Sequence, residues 1–380
     1  MSESLTAVRR ALTDAPADAV VECLGEALAK EYGVTATDLL LVDYRLAALL
    51  PLLSGSPVTK PGDPAWRCFD HQAEVTAGRM GYLPVTTRGE RIGVLRLAPM
   101  PDGDVGRDEL AEIATVLAHE LQSAGAGTDR YTMAARSRRL TLAAEMQWEL
   151  LPGRSRTRPS FSLAGQLEPS YAVRGDSFDW AEQDGRLYLT VLNGMGDGMN
   201  AALLTSLATY ALRNARRAGL ALADQAALAD QAIFAQHQGA RHVSALLLEL
   251  DLTTGILEAV DAGSPLLMLL RDGEAHDQPL DAQFPLGMFE SSDYVPQHLT
   301  LRPGDRLMIV SDGVTEAAGS AGRYGQTALQ RFARRASSLA PLEAVRSLLG
   351  DLRTYIGDAN LEDDAVAVVL DWNRPGSSSP

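Results

Sequence analysis

The sequence predicts a two-domain chain of the α+β class, and three observations support this fold class. The chain has 380 residues, which is long for a single hydrophobic core and favours two domains. Its first 125 residues alternate helix-like and strand-like patterns around one clear hairpin. Residues 160–372 contain many consecutive strand-like runs with two helix-like runs among them, which is typical of a layered α+β domain rather than of a βαβ repeat.

The N-terminal region begins with apolar residues at helical spacing that end at Gly33, and this pattern predicts a helix with a glycine cap. Residues 39–53 predict two strands around a turn, and residues 80–100 predict a hairpin. A further helix is expected from Asp108. The order of these elements and the phrase LPVTTRGERIGVLRL resemble GAF-type sensory domains. The resemblance implies that residues 1–125 form a GAF-like α/β sensor that could bind a small ligand.

Residues 126–155 are predicted to be a helical linker that follows a glycine-rich hinge. The stretch 128–152 lacks Gly and Pro until its end, and this composition favours one continuous helix. Four apolar residues of this stretch fall on a loose heptad seam: Met133, Leu140, Ala144 and Leu151. Such a seam is typical of a short dimerising helix, so a homodimer is expected. A helix packed on its own domain explains the same pattern equally well.

Residues 156–373 are predicted to form the second domain, and residues 374–380 a disordered tail. Apolar runs bounded by turn residues predict strands at 161–166, 187–192, 243–250, 256–262, 266–270, 307–310 and 365–370. Helical periodicity predicts helices at 201–217, at 221–238 and near 326–357.

Four short pieces of this second domain carry residues suited to metal chemistry. They are VRGDSFDW (173–180), LNGMGDGMNAALL (192–204), MIVSDGVTEA (308–317) and EDDAVAVVL (362–370). Three of them leave acidic side chains at strand ends, and carboxylates on separate rigid strands are how proteins hold Mg²⁺ or Mn²⁺. Each piece taken alone is explained at least as well by an ordinary turn.

Together and in this order, the four pieces resemble the SpoIIE-like bacterial branch of the PPM family of metal-dependent Ser/Thr protein phosphatases. The counterparts of that branch's motifs are RGDSFD, NGMGDG followed by AALL, SDGVTEA and DDAV, and PLGMF (285–289) is similar to an internal segment of the branch. The resemblance covers roughly residues 150–372. It implies a PPM-type α-β-β-α sandwich, with metal ions held between the two sheets at one edge.

The resemblance also implies a reaction and a set of ligands. The reaction is phosphomonoester hydrolysis without a covalent enzyme intermediate, in which two Mn²⁺ or Mg²⁺ ions lower the pKa of a shared water molecule. The implied metal ligands are the side chains of Asp176, Asp312 and Asp363 and the Gly194 carbonyl. Position 193 should carry the aspartate that bridges both ions, but this sequence has Asn193.

An amide at position 193 should weaken the site, because it offers one neutral oxygen and its NH₂ group would face a cation. Even the loss of an outer-shell partner lowers metal affinity or activity about 10–100-fold, and losing a bridging charge should cost at least as much. Asp197 could partly restore the charge, or it could be a solvated loop acid. Arg174, which replaces a glycine of the family pattern, could contact a phosphate or simply lie on the surface. Asp364 is a further auxiliary candidate.

Three functional hypotheses remain open at this stage. The first is a phosphoserine/phosphothreonine phosphatase that is regulated by the N-terminal sensor and acts on a phosphorylated anti-sigma-factor antagonist in bacterial partner switching. The second is a pseudophosphatase or binding module with a weakened metal site. The third is a small-ligand sensor whose C-terminal domain is an output platform.

Composition excludes several other classes of protein. The formal net charge of −15 argues against general binding to nucleic acid or to an anionic membrane, which requires a basic field. The most apolar stretch, 39–53, is interrupted by two charged residues and a proline, so no membrane span is expected. Cys23 and Cys68 are isolated in the sequence and form no metal-binding spacing, which suits a reducing cytoplasm.

Overall fold

The computed structural model describes residues 2–101, 103–170, 173–263, 265–320, 322–357 and 361–373. The chain forms two compact units, Met1–Arg139 and Leu140–Pro380. The tail expected at 374–380 lies outside the described residues. Within the described ranges, every helix is too short or too polar to span a lipid bilayer.

The first unit contains one antiparallel sheet with the strand order β2-β1-β5-β4-β3. Its strands are β1 (Ala36–Val42), β2 (Leu49–Pro51), β3 (Val75–Ala77), β4 (Met80–Thr87) and β5 (Glu90–Ala98). Its helices are α1 (Glu3–Thr13), α2 (Val20–Tyr32), α3 (Pro64–His71), α4 (Asp104–Ala124) and α5 (Arg130–Ala134). Apolar side chains of α1, α2 and α4 share one core with the sheet.

The structure confirms the helix that ends at Gly33, where φ is +68° and glycine is therefore favoured. The hairpin of β4 and β5 is also confirmed. The helix expected from Asp108 begins earlier, at Asp104. α1 was not predicted, although Leu5, Val8 and Leu12 share its buried face.

The single helix predicted at 128–152 is wrong. α5 ends at Ala134, and a new helix, α6 (Leu142–Leu150), begins only after Thr141, whose hydroxyl accepts a hydrogen bond from the Ala144 N–H. The two helices bury their apolar residues in different units: Tyr131 lies in the core of the first unit, and Ala144 is buried in the second. Met133 is 64% exposed. The seam residues therefore do not share a helix, and the heptad argument for a homodimer fails.

The second unit contains two larger antiparallel sheets and one short hairpin. The first sheet has the order β14-β11-β10-β9-β8, and the second has the order β13-β12-β15-β18-β7-β6. The strands of the first sheet are β8 (Asp176–Gln183), β9 (Arg186–Gly194), β10 (Val243–Asp251), β11 (Ile256–Ala262) and β14 (Gln297–Thr300). Those of the second are β6 (Ser155–Arg158), β7 (Phe161–Glu168), β12 (Leu266–Arg271), β13 (Glu274–Asp277), β15 (Arg306–Val310) and β18 (Ala365–Trp372). The hairpin consists of β16 (Ala318–Gly319) and β17 (Gly322–Arg323).

Helices cover the outer faces of both sheets, and the layers confirm the predicted α-β-β-α sandwich. The remaining helices are α7 (Gly198–Arg217), α8 (Leu222–His237), α9 (Asp312–Thr315), α10 (Gly325–Arg335) and α11 (Pro341–Ile356). α7 and α8 pack on the first sheet and α11 packs on the second. Inward-facing residues of both sheets form the core between them, including Phe178, Leu246, Ile309 and Val368.

The single helix predicted near 326–357 is wrong, because α10 and α11 are separate. α10 ends at Arg335 and α11 begins at Pro341, where proline is favoured because the first N–H groups of a helix have no intrahelical partner. The short strands β6, β13 and β14 were also not predicted. Their side chains are only partly buried, so they lack the continuous apolar run that marks the central strands.

We expect a fragment of residues 140–380 to unfold cooperatively, whereas a fragment of residues 152–380 should be less stable. The shorter fragment lacks α6, so it loses the buried apolar contacts of Ala143 and Ala144 and the buried hydrogen bonds of Gln147. Loss of a hydrogen bond to a buried charged group costs roughly 1.5–3 kcal/mol, so the difference should exceed this range. Urea unfolding monitored by circular dichroism measures it, and equal midpoints for the two fragments would contradict the prediction.

Candidate metal centre

The glycine loop begins where β9 ends. Asn193 on β9 lies opposite Asp176 on β8 and opposite Ser244 on β10. Gly196 and Gly198 have φ values of +119° and +53°, which residues with a side chain rarely adopt. Backbone hydrogen bonds hold the loop, since the N–H of Gly198 donates to the carbonyl of residue 173 at 2.7 Å. The glycines therefore give the chain a tight path from β9 into α7.

Gly194 is required for a different reason, which is lack of space. A Cβ atom at this position would lie 2.4 Å from Thr205 Oγ1 on α7. The Thr205 hydroxyl donates a hydrogen bond to the Gly175 carbonyl at 2.6 Å, just before β8 begins. The first turns of α7 are therefore pressed against the ends of β8 and β9, and this contact brings Asp176 and Asn193 to one edge of the sheet.

Gly313 in the SDG motif allows the second sheet to bring its carboxylates to the same edge. A Cβ atom on Gly313 would lie 1.8 Å from the Asp364 carbonyl oxygen, so only glycine fits between α9 and the start of β18. The Ser311 hydroxyl accepts a hydrogen bond from the Val366 N–H at 2.9 Å and fastens the end of β15 to β18. As a result, Asp312, which follows β15, lies beside Asp363, which precedes β18.

The PLGMF segment is architectural. Leu286 is fully buried and forms a bridge with Val243. Gly287 has φ of +85°, and its N–H donates to the buried Asp230 carboxylate at 2.7 Å. A Cβ atom on Gly287 would lie 2.2 Å from Ile233, so the segment fixes α8 to the end of β10.

Asp364, an auxiliary candidate from the sequence, has a structural role in the fold. It is fully buried, and its two carboxylate oxygens accept five hydrogen bonds. The donors are Gln147 Nε2, the Ser170 N–H and hydroxyl, and the N–H groups of Arg174 and Gly175, at 2.7–3.1 Å. Gln147 and Ser170 were not among the predicted residues, because no motif marks a hydrogen-bond donor that is distant in sequence.

Asp176 has the opposite environment. Its side chain is fully buried, and neither carboxylate oxygen has a hydrogen-bond partner in the described part of the chain. Burial raises the pKa of Asp176 well above its ordinary range, and the charge on Asp364 raises it further. The nearby Ser311 hydroxyl lowers this pKa in part, although its hydrogen bond is to the Asp364 carbonyl at 3.3 Å. A buried carboxylate without a partner is costly, and a bound cation would remove that cost.

Asp312 and Asp363 are closer to solvent. Burial raises the pKa of Asp363 to about 6, the charges on Asp312 and Asp364 act in the same direction, and the N–H of Asp364 opposes them. Asp312 is exposed and accepts hydrogen bonds from its neighbour's N–H and from Asn193 Nδ2, the latter at 2.8 Å. The Asn193 amide therefore presents its NH₂ group to the Asp312 carboxylate. An aspartate at position 193 would place two like charges there.

These residues have the right ligand atoms for a divalent cation, but too few of them lie close together to form a complete set of ligands. Asp176, Asp312 and Asp363 offer the hard oxygen atoms that Mg²⁺ and Mn²⁺ prefer. Within the described ranges, however, no three His, Cys, Asp or Glu side chains are grouped closely enough to hold a metal ion. Position 193 lies between Asp176 and Asp312 and carries no charge. Because Mg²⁺ retains several waters and often uses one or two carboxylates, the residues suit one hydrated ion and not a pair bridged at position 193.

A cleft of about 370 Å³ opens beside these carboxylates, and we call it the metal cleft. Charged residues of both signs line it: Arg174, Asp312, Glu316, Arg323, Glu362 and Asp363. Asp197 does not line it. Asp197 is exposed at the N-cap position of α7 and makes no side-chain capping bond, which matches a solvated loop acid.

One family model matches the part of the chain that contains most of these residues. Residues 183–373, half of the chain, match the model of the family described as Stage II sporulation protein E (SpoIIE). The chain belongs to the SpoIIE family. Asn193, Gly194, Asp312 and Asp363 lie inside the matched range, whereas Asp176 precedes it.

Individual proteins are similar to this SpoIIE-family chain in sequence or in structure. The chain is 26% identical over 192 residues to phosphoserine phosphatase RsbP of Bacillus subtilis, and the match covers 48% of this chain and 46% of RsbP. The chain therefore spans about half the length of this relative. The SiaA-PP2C domain of Pseudomonas aeruginosa superimposes with a TM-score of 0.50 at 22% identity, over 56% of this chain and 86% of that domain. The RsbU and RsbW domains of Rv1364c from Mycobacterium tuberculosis give a TM-score of 0.49 at 24% identity, over 58% and 63% of the two chains.

Gly313→Ala should destabilise the second unit, because the added methyl group overlaps the Asp364 carbonyl. Overpacking of this kind costs about 1–3 kcal/mol. Gly350→Ala is the matched control, since Gly350 lies inside α11 with open space around its Cα, and alanine there should stabilise by about 0.5–1 kcal/mol. Urea unfolding measures both changes. A Gly313→Ala protein as stable as the parent would show that the close approach is unnecessary.

The stability of the metal-free protein should depend on pH through Asp363. Its pKa in the folded protein is about 6, above the ordinary value near 4, so the folded state binds more protons than the unfolded state between these values. The protonated Asp363 side chain therefore makes its full contribution to the free energy of unfolding at pH 4, and this contribution is lost as pH rises through 6.

Asp363→Asn should remove that loss of stability when urea unfolding in EDTA is measured from pH 4 to pH 7. Asp184→Asn, in an exposed turn, is the control and should behave as the parent. The prediction is wrong if the parent and Asp363→Asn lose the same amount of stability over this pH range.

Proposed function

We propose that residues 140–373 form a metal-dependent protein phosphatase that hydrolyses phosphoserine and phosphothreonine monoesters. The observation that carries this proposal is the buried carboxylate of Asp176, which lacks a hydrogen-bond partner within the described ranges and is influenced by the charges of Asp312 and Asp363. Membership of the SpoIIE family and the similarity to a phosphoserine phosphatase support it.

The residues of the metal cleft have separate roles in this proposal. A hydrated Mn²⁺ or Mg²⁺ ion would be held among Asp176, Asp312 and Asp363, with only one or two of them as direct ligands, and when bound it would offset their charges and lower the pKa of a water molecule. Arg174 lines the cleft near Asp363, and its guanidinium group receives the phosphate of the substrate. Arg323 is less available, because it pairs with Glu316 at 3.0 Å.

The physiological substrate in this proposal is a phosphorylated protein such as an anti-sigma-factor antagonist. The SpoIIE-branch motifs support this choice. The first unit is proposed to act as a GAF-like sensor of a small ligand, and its helix-covered antiparallel sheet supports that role. In this scheme the first unit regulates the phosphatase.

A binding module without turnover is a second candidate, and one observation favours it. The Asn193 amide donates a hydrogen bond to Asp312, so this candidate metal ligand already has a hydrogen-bond partner within the protein. A cation would have to displace this bond without gaining a bridging charge. Such a domain could still bind a phosphoprotein in the metal cleft.

Phosphate release from a synthetic phosphoserine peptide, measured with Mn²⁺ and with EDTA, tests the proposed activity. The parent should release phosphate only with the metal. Asp312→Ala should abolish phosphate release and also Mn²⁺ binding measured by calorimetry, because the substitution removes one of few anionic ligands. Circular dichroism checks that the exposed substitution preserves the fold. Absence of release by the parent, combined with peptide binding, would favour the binding module.

Asn193→Asp should raise Mn²⁺ affinity and phosphate release together, each by about tenfold or more, because a bridging carboxylate replaces an amide of nearly equal shape. A tenfold change corresponds to about 1.4 kcal/mol. The same substitution should lower stability in EDTA, since it replaces the hydrogen bond to Asp312 with repulsion.

The control is Asn200→Asp, which adds the same charge at an exposed position on α7. If both variants change Mn²⁺ affinity equally, the effect is general electrostatics and position 193 is not a ligand site. Asp197→Asn is the companion variant. A strong loss of metal binding in Asp197→Asn would show that Asp197 supplies the missing charge in solution.

A further inference from the structure

A second cleft of about 520 Å³ lies between α10 and α11. We call it the arginine cleft, and it is defined by Tyr324, Arg331, Arg334, Arg335, Asp351 and Tyr355. Three arginines face a single acidic residue in this lining, whereas the whole chain has a formal net charge of −15. The proposed phosphatase activity does not account for this local excess of positive charge.

The three arginines are poorly neutralised by the protein itself. Arg334 pairs with Glu274 at 3.6 Å and Arg335 pairs with Asp351 at 3.8 Å, and all four side chains are exposed. Such pairs contribute little, about 0–1 kcal/mol. Arg331 makes no hydrogen bond or ion pair with any residue in the described ranges.

Local helix stability explains only part of this arrangement. Arginine in the last turn of a helix interacts favourably with the helix dipole, which accounts for Arg334 and Arg335. Arg331 precedes that turn, and it lies four residues from Arg335, a spacing at which like charges repel on a helix. α10 contains no acidic residue that could relieve the repulsion.

Side-chain contacts connect Tyr324, Asp351 and Tyr355, which complete the lining of the cleft. Tyr324 is buried, and its hydroxyl donates to Asp351 at 2.7 Å, so the single acid of the cleft is already engaged. The Tyr324 and Tyr355 rings meet edge to face with centroids 5.3 Å apart. Arg335 and Arg331 both lie close enough to Tyr324 to lower its pKa, against the larger upward effects of burial and Asp351. The guanidinium groups therefore lie beside side chains that are held by contacts with each other.

The β16–β17 hairpin lines the metal cleft and contacts Tyr355 of the arginine cleft. Ala318 and Arg323 of this hairpin line the metal cleft. The Tyr355 hydroxyl donates to the carbonyls of Gly322 and Arg323, both at 3.1 Å. A Cβ atom on Gly319 would lie 2.6 Å from the Tyr355 carbonyl oxygen, so the hairpin backbone rests directly on that tyrosine. The two clefts are therefore linked through this hairpin and Tyr355.

We propose that the arginine cleft binds acidic side chains that flank the phosphorylated residue of the protein substrate. This inference rests on the proposed function, in which the phosphorylated residue occupies the metal cleft. Exposed guanidinium groups attract carboxylates in solution, accelerate encounter and discriminate against neutral or basic segments. An acidic flank would also supply the counter-charge that Arg331 lacks.

The test uses the full chain and two labelled synthetic peptides of equal length. One carries phosphoserine flanked by Asp and Glu on both sides, and the other carries phosphoserine flanked by Ser and Ala. Fluorescence anisotropy at low salt measures binding, and phosphate release is followed with both peptides. The parent should bind the acidic phosphopeptide about three- to thirtyfold more tightly, as expected for two or more exposed ion pairs.

The double variant Arg331→Gln/Arg335→Gln should lose most of this preference. Glutamine has nearly the same helix propensity as arginine, so α10 should be preserved, and thermal unfolding checks this. Arg217→Gln is the matched control, because it removes an exposed arginine from the last turn of α7, outside the arginine cleft, and should keep the preference. The parent's preference should also shrink at high salt.

Equal binding of the two peptides by the parent would overturn the proposal, and so would a preference that survives in the double variant. Failure of the phosphatase activity gives a different result. In that case neither peptide releases phosphate, while the preference for the acidic peptide and its loss in the double variant remain measurable by anisotropy.

Discussion

The second unit depends on one buried carboxylate, that of Asp364. Its donors come from α6, from Ser170 after β7 and from Arg174 and Gly175 before β8. One side chain thus joins a helix to the ends of strands from both sheets. A charge that is removed from water is tolerated only when its lone pairs are satisfied, and breaking such a set typically costs about 3–5 kcal/mol. The register of the two sheets at this edge, and therefore the position of Asp363 beside Asp312, follows from that requirement.

Hydrogen-bond partners distinguish acids that the sequence presents as equivalent. Asp364 accepts five hydrogen bonds, and Asp179 is held by Arg213 and Arg216 from α7. Asp176, by contrast, is buried without a partner in the described part of the chain. The first two therefore stabilise the fold, whereas the third is suited to bind a cation. Asn193 also affects the electrostatics of this group. Its amide donates a hydrogen bond to Asp312, whereas a carboxylate at position 193 would repel Asp312 unless a cation were bound.

The two errors in the predicted helices concern where each helix is interrupted. Residues 128–152 have helical composition throughout, but Tyr131 and Ala144 are buried in the cores of different units, so the chain breaks between them. The helix predicted near 326–357 is also divided, since α10 ends at Arg335 and α11 begins at Pro341. Local propensity describes a segment in isolation, whereas packing decides which core each turn joins. The central strands were predicted well because their burial requires a continuous apolar run, for example in β10 and β18.

The sequence by itself determined the identity and order of the site residues. Strand-end acids and alternating glycines are local features, and Gly196, Gly313 and Asp312 are recognisable without coordinates. Only the tertiary structure decided what each residue does. The need for Gly313 comes from the Asp364 carbonyl, and the partners of Asp364 include Gln147, which is distant in sequence. The arginine cleft also depends on α10 and α11 facing each other. Charge and hydrogen-bonding capacity are properties of a residue, but whether they are satisfied depends on neighbours that only folding provides.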